Sequence, residues 1–332
     1  MRCVAILPGL LLMWSANAAL AQVAGQVERM QQFNQQQVDT RIQTATDASN
    51  ELAPELYEGE SSDVGPQFIV RSKPRRKWVE ATVDSQYYYT SNMLLTEQNP
   101  IDTTILVNTV QVAIAPTPFD MGGGQFAPRV GFRYQWYNYG MDNTTNQLNN
   151  FDFDVETLFT DLRYRFKDNW YVAAGFEWNR LLSHEGPTAD YTEFYKEYNP
   201  SWTIGKFFPI SDSMFFSMEY QGIYHLTVVD PLPAQNINDR IDHGVRLSFT
   251  QELIPNLYLQ PYFRFLYTDY VNVNGSRNDY LFSVGTAFSY ALTQWASVRT
   301  FVSYDVKESD DPSFADYTNV NAGCGVTLNV SF

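Results

Sequence analysis

The sequence predicts an all-β fold: a transmembrane, antiparallel, up-and-down β-barrel of about twelve strands, preceded by a short periplasmic N-terminal arm. Three observations predict it. From Trp78 onward polarity alternates with a period of two, in one segment after another. The strong segments run to roughly nine to thirteen residues, the length a tilted strand needs to cross a bilayer, whereas strands of soluble sheets average about five or six. Aromatic residues make up 16% of the chain, with 22 Tyr and 23 Phe, yet mean hydropathy is only -0.32. A helical membrane protein would be far more apolar. A barrel need not be, because only alternate side chains touch lipid and the others face a polar lumen.

Before the barrel come two segments of different character. Arg2 supplies a positive start, Val4 to Met13 is an apolar run, and the small residues Ala16, Ala18, Ala19 and Ala21 follow. That order reads as a secretory signal over residues 1–21, cleaved after Ala21 or Ala18; the run is too short to span ~30 Å of hydrocarbon as a helix. Residues 22–77 read as a periplasmic arm and linker. Within them Gln26 to Thr44 is Gln-rich, with Val27, Met30, Phe33, Val38 and Ile42 loosely at helical spacing. Such a tract forms a short helix or stays disordered. An acidic linker over 51–70 leads to a basic cluster, Arg71, Lys73, Arg75, Arg76 and Lys77. The cluster would meet anionic headgroups or stand solvated.

The barrel is expected over residues 78–332. Its last segment is the clearest: Val320, Ala322, Cys324, Val326, Leu328, Val330 and Phe332 form one face, and Asn319, Asn321, Gly323, Gly325, Thr327, Asn329 and Ser331 the other. Successive side chains of a strand point to opposite faces, so one face is for lipid and one for the lumen. Comparable alternation marks 129–137, 161–166, 170–179, 214–225, 245–250, 258–267, 282–290 and 297–304, and weaker strands lie at 78–90, 104–115 and 192–208. Short connections at 167–169, 209–213, 254–256 and 292–294, with a Gly-rich turn at 116–127, alternate with longer polar ones at 91–103, 140–153, 183–190, 227–240, 270–278 and 306–316. Outer-membrane barrels have short periplasmic turns and long outer loops. Trp170 and Trp295 follow turns while Trp136 and Trp178 lie near loops, heights that suit two aromatic belts.

Charge and cysteine content narrow the function classes. With 37 Asp+Glu against 22 Lys+Arg, nucleic acid is not an expected partner, because phosphate contacts need a basic surface. Signal removal would leave Cys324 alone, too little for an internal disulfide, and three histidines offer little for a transition metal. No metal or cofactor is expected. Glu308, Asp310, Asp311 and Asp316 cluster in one loop without EF-hand spacing, so they read as solvated charge that divalent cations would bridge to lipopolysaccharide. Asn143-Thr144-Thr145 matches a glycosylation sequon that carries little meaning in a bacterial barrel.

Alternation also places charges on the inward face. Arg129, Arg133, Arg163 and Arg165 fall on two neighbouring strands, Arg246 and Arg264 on another pair, and Glu177, Glu197 and Glu219 on the three between. An arginine wall partly facing a glutamate wall would set a transverse field that biases which ions enter; alternatively, the charges pair across the lumen and fill it. The outer-membrane phospholipase family places a His and a Ser two residues apart on the lipid face, but Val245 stands two residues after His243. The nucleophile is missing. His225 and His184 have no Ser or Asp neighbour at a fixed offset, so no catalytic residue is assigned.

Asp279-Tyr280-Leu281-Phe282-Ser283-Val284-Gly285, Leu292-Thr293-Gln294-Trp295, Asp316-Tyr317-Thr318 and the final strand resemble β-barrel porins of the exopolysaccharide-associated type in diderm bacteria, as does the tyrosine-rich opening strand from Asp84 to Leu95 with Ser91-Asn92. The resemblance covers the barrel, not residues 22–77. It implies an outer-membrane location and brings no catalytic residues. A terminal amphipathic strand ending in Phe332 resembles the signal read by the barrel assembly machinery. The expected partners are outer-membrane lipid, lipopolysaccharide and that machinery, with a periplasmic partner possible for residues 22–70. The expected function is a porin-like channel for small hydrophilic solutes or an accessory export channel. The alternatives are a non-conducting assembly barrel whose arm binds a partner and, behind it, a barrel hydrolase.

Overall fold

The computed structural model describes residues 77–141, 151–184, 191–228, 238–272, 277–311 and 316–332. The chain divides into two units, Met1–Arg75 and Arg76–Phe332, and every described residue belongs to the second. The signal segment, the arm, the cluster from Arg71 to Arg76 and the Asn143 sequon lie outside the described residues.

Alternation produces strands, and the strands close on one another. In chain order they are β1 (Val79–Thr90), β2 (Thr103–Ile114), β3 (Phe119–Met121), β4 (Gly124–Tyr139), β5 (Phe153–Arg165), β6 (Trp170–His184), β7 (Tyr191–Ser211), β8 (Met214–Val228), β9 (Arg240–Ile254), β10 (Leu257–Tyr270), β11 (Arg277–Ala291), β12 (Ala296–Ser309) and β13 (Tyr317–Ser331). Each long strand pairs antiparallel with the next, β2 pairs with β4, and β1 pairs with β13 from Glu80↔Ser331 to Thr90↔Asn321. That last pairing closes the barrel and removes its free edges. Twelve long strands therefore form the wall. The thirteenth, β3, is a short hairpin strand on the lower part of β4, turned by Gly122 and Gly123 at φ 59° and 91°, values that glycine adopts without cost.

The two faces separate by chemistry. On β13, Val320, Cys324, Val326, Leu328 and Val330 point outward and are exposed, while Asn319, Asn321 and Thr327 point inward and are buried. The outward faces carry Trp170, Trp202, Phe208 and Trp295, side chains suited to lipid and its interface. Lys206 lies over the rings of Trp170 and Phe208 at 4.9 and 5.2 Å, its stem along apolar surface and its ammonium near the turn end.

The strands run longer than their alternating stretches: the 161–166 pattern extends into β5 from Phe153, and the 245–250 pattern into β9 from Arg240 to Ile254. Glycines placed directly opposite aromatic residues give the rings room to lie flat on the wall. Gly131 faces Phe159, Gly205 faces Tyr171, Gly222 faces Trp202 and Gly285 faces Tyr262. A Cβ added at Gly205 would stand 2.3 Å from the Tyr171 ring. Gly205→Ala is expected to displace that ring and lower stability by about 1–3 kcal/mol, seen as an earlier heat-modifiability transition on gels. Gly244→Ala, whose Cβ meets nothing nearer than 3.6 Å, is the control that should not move it.

Candidate functional site in the lumen

At the turn end, the inward face carries arginines held by acids and by rings. Arg129 donates to Glu80 Oε1 at 2.7 Å, two strands round the wall, and Arg133 reaches Glu177 at 3.3 Å, again two strands away. Both guanidinium groups lie over the Phe159 ring, at 5.3 and 5.7 Å. Arg163 lies 5.2 Å over Tyr171, and Arg165 lies 5.8 Å over Phe207 while donating to Asn169 Oδ1 at 3.0 Å. Tyr171 and Phe207 are themselves stacked, 5.0 Å apart, and the Tyr171 hydroxyl donates to Glu219. Arg246 stands opposite Glu219 on one side and opposite Arg264 on the other. The acid–arginine contacts named here run along the wall, between strands two apart, rather than across the lumen.

At the loop end, the charges are fully buried and more closely interlocked. Glu197 accepts hydrogen bonds from Asn179 at 2.9 Å, Asn199 at 2.7 Å and the Tyr195 hydroxyl at 3.1 Å. His225 sits between two carboxylates, with Nδ1 3.3 Å from Glu197 and Nε2 3.2 Å from Asp242. The Nε2 approach is a charge contact whose angle falls short of a good hydrogen bond. Arg240 stands 3.6 Å from the other Asp242 oxygen. Sequence reading placed Glu197 in a wall and passed over His225 for want of a neighbour at fixed offset; the register of β7, β8 and β9 supplies both acids. A second cluster follows, in which Asp279 accepts from Arg277 at 2.7 Å and meets Lys307 at 2.8 Å, and the Arg277 guanidinium lies 3.8 Å from the Tyr270 ring centre.

On three strands exposure falls steeply from the turn end to the loop end. On β1, the inward Glu80 side chain is 21% exposed, Asp84 is 3% exposed and Gln86 and Thr90 are 0%. The same gradient runs up β4 from Arg129 to the buried Gln135 and Tyr137, and up β8 from Glu219 to His225. At the turn end Glu80, Arg129, Glu177 and Glu219 keep partial access while Tyr171, Thr250, Ser297 and Arg299 are buried, whereas nearly all described inward side chains of the loop end are buried. Aromatic rings do much of the packing: Tyr137 stacks on Phe153 at 4.5 Å and 9°, and Phe194 meets Phe153 edge-on at 6.3 Å. The β1–β2 connection folds over the same end. Asn92 donates its backbone N–H to Asn319 Oδ1 at 3.0 Å and its side-chain amide to Thr96 O at 2.7 Å, and Met93 and Leu95 are buried beyond it.

Loop acids are used locally. Asp310 accepts from the backbone and side-chain amides of Asn278 at 2.6 and 2.8 Å, which holds its carboxyl below the usual carboxylate range. Asp316 accepts from the Ser309 backbone at 2.8 Å. His243 lies on the outward face, its Nδ1 2.8 Å from the Tyr220 hydroxyl. The His184 side chain and Glu185 lie outside the described residues.

No protein-family model matches the sequence, and no curated protein sequence matches it. The resemblance to exopolysaccharide-associated porins therefore stands on the motifs alone. Solved structures do match. An outer-membrane channel from Pseudomonas putida F1 is 10% identical, over 76% of this chain and 96% of its own, with a TM-score of 0.50. The β domain of the Bordetella autotransporter BrkA is 14% identical, over 78% of this chain and 100% of its own, with a TM-score of 0.42. A KdgM porin in complex with disordered oligogalacturonate is 8% identical, over 74% of this chain and 98% of its own, with a TM-score of 0.38. Likeness at these identities speaks for the fold. The chain is a closed β-barrel with the fold of outer-membrane barrels, and its structural neighbours include porins and channels.

Proposed function

We propose that this barrel is a channel for small hydrophilic solutes, or the channel part of an exporter, entered from the turn end and restricted at the loop end. The carrying observation is the exposure gradient on β1, β4 and β8: partly exposed charges at the turn end lead to a packed constriction at the loop end. Arg129, Arg133, Arg163, Arg165, Arg246 and Arg264 line the turn end with Glu177 and Glu219, while Glu197 belongs to the constriction. These six arginines outnumber the acids Glu80, Asp161, Glu177 and Glu219 on the same stretch of wall, and a net positive lining favours anions over cations of equal size. On this reading, no residue is catalytic, Phe332 is a delivery signal, lipid and lipopolysaccharide surround the wall, and residues 22–70 are free to bind a periplasmic partner.

A second reading, a non-conducting assembly barrel, draws on the packed loop end itself. Planar-bilayer recordings separate the two. A channel gives discrete conductance steps, whereas a sealed barrel gives none at any voltage. With steps in hand, Arg133→Ala with Arg163→Ala is expected to move the reversal potential in a salt gradient toward cation preference, by roughly 10 mV or more. An unchanged reversal potential in an open channel would count against the arginine wall.

A further inference from the structure

We propose that His225 is the proton-binding site of a latch that holds the loop end of the lumen shut, and that loss of this proton loosens it. Both ring nitrogens face carboxylate oxygens, Glu197 at 3.3 Å and Asp242 at 3.2 Å, and all three side chains are buried. A neutral imidazole has one N–H, so one of those contacts would set a lone pair against an anion. The imidazolium donates to Glu197 through Nδ1 and sets its positive charge against Asp242 through Nε2. The arrangement therefore contains a bound proton as a structural part.

Every element packed around His225 contributes to the charge balance. β7 brings Glu197 and Tyr195, and β9 brings Asp242 and Arg240. Beyond them, Tyr270 on β10 lies in the field of Arg240 and Asp242 and of Arg277 and Asp279 on β11. Asp279 has Arg277 and Lys307 of its own. The buried Asp239 beside Arg240 is held by the Thr227 backbone and hydroxyl and by Asn272, so among the described residues Glu197 and Asp242 have His225 and Arg240 as their cations. With the proton bound, two anions face two cations. Without it, one carboxylate is uncompensated where water does not reach, and the strands carrying the pair gain a reason to part. The latch joins three consecutive strands, β7, β8 and β9, so its release acts on a quarter of the constriction wall.

This inference rests on the channel reading for its consequence, solute flow, but the latch can be measured without conduction. Leu266, inward on β10 and buried beside Gly244 of β9, takes a reporter thiol as Leu266→Cys in a Cys324→Ser background. Its rate with a water-soluble maleimide in detergent is divided by that of a thiol at Asp311→Cys, so that thiol ionisation cancels. Between about pH 6 and about pH 9, a span bracketing ordinary imidazole, the ratio is expected to rise about tenfold. Glu197→Gln with Asp242→Asn leaves nothing for the charge to satisfy, and there the ratio should stay flat. His225→Gln should give a high ratio at every pH. A flat ratio in the parent, or an equal rise in the double variant, overturns the latch. A rising ratio without conductance steps at either pH would leave the latch standing and remove the channel reading. Steps with a flat ratio would do the reverse.

Discussion

Arg299→Ala is expected to lower barrel stability by about 3–5 kcal/mol. Arg299 on β12 donates to both oxygens of Asp84 on β1, at 2.8 and 2.9 Å, and to the Thr327 hydroxyl of β13 at 2.8 Å. Thr327 in turn donates to Asp84 at 2.5 Å. Asp84 and Arg299 are 3% and 4% exposed, so removing the guanidinium leaves a carboxylate without its counter-charge where water is scarce. The arginine can reach across because Gly325, its direct partner on β13, has no side chain in the way. This bond group spans the seam where the first and last strands meet, which no local contact can close. Urea titration followed by tryptophan fluorescence should show a lower midpoint. Asp84→Val with Arg299→Met should recover most of it, because an apolar pair leaves no lone charge. If Arg299→Ala unfolds at the wild-type midpoint, the seam does not depend on this ion pair.

The contacts at that seam also show what sequence can and cannot disclose. Alternation revealed the strands wherever the lumen face is polar, as on β13. It weakened where the lumen is packed with apolar groups: β2 buries Ile105 and Val107 inward, so its two faces read alike. The opening strand blurs for a related reason, with Tyr88 turned inward between the outward Tyr87 and Tyr89. On β7 a register shift opposite Leu181 and Leu182 breaks the phase. The short β3 lay inside a segment read as a Gly-rich turn. The arginines could be placed on the inward face from parity alone, but their partners could not. Asp84 and Arg299 are 215 residues apart, and His225 meets Asp242 only because β8 and β9 pair in a particular register. Parity gives direction, whereas register and shear give neighbours. The one signal in the sequence was that His225 and Asp242 both fall on the inward face near the loop ends of consecutive strands.

Tyr137→Ala together with Phe153→Ala is expected to raise unit conductance about threefold or more, because these rings are among the largest fully buried side chains of the packed half. They stack at 4.5 Å, belong to adjacent strands, and are closed from a third by Phe194. Both are nearly inaccessible, at 1% and 2%. Truncating a buried ring usually costs about 3–5 kcal/mol, from lost contacts and the void left behind. Here the void adjoins polar groups, Gln135 and Thr109 among them, and can fill with water, which recovers part of that cost and opens a path for ions. The double variant should therefore conduct better and melt earlier at once. Arg133→Ala provides the contrast, since it alters charge at the turn end and leaves the rings in place: selectivity should move while unit conductance stays within about twofold. Should the ring variant keep wild-type conductance while melting earlier, the restriction lies elsewhere, and the β1–β2 connection buried through Met93 and Leu95 becomes the part that closes the mouth.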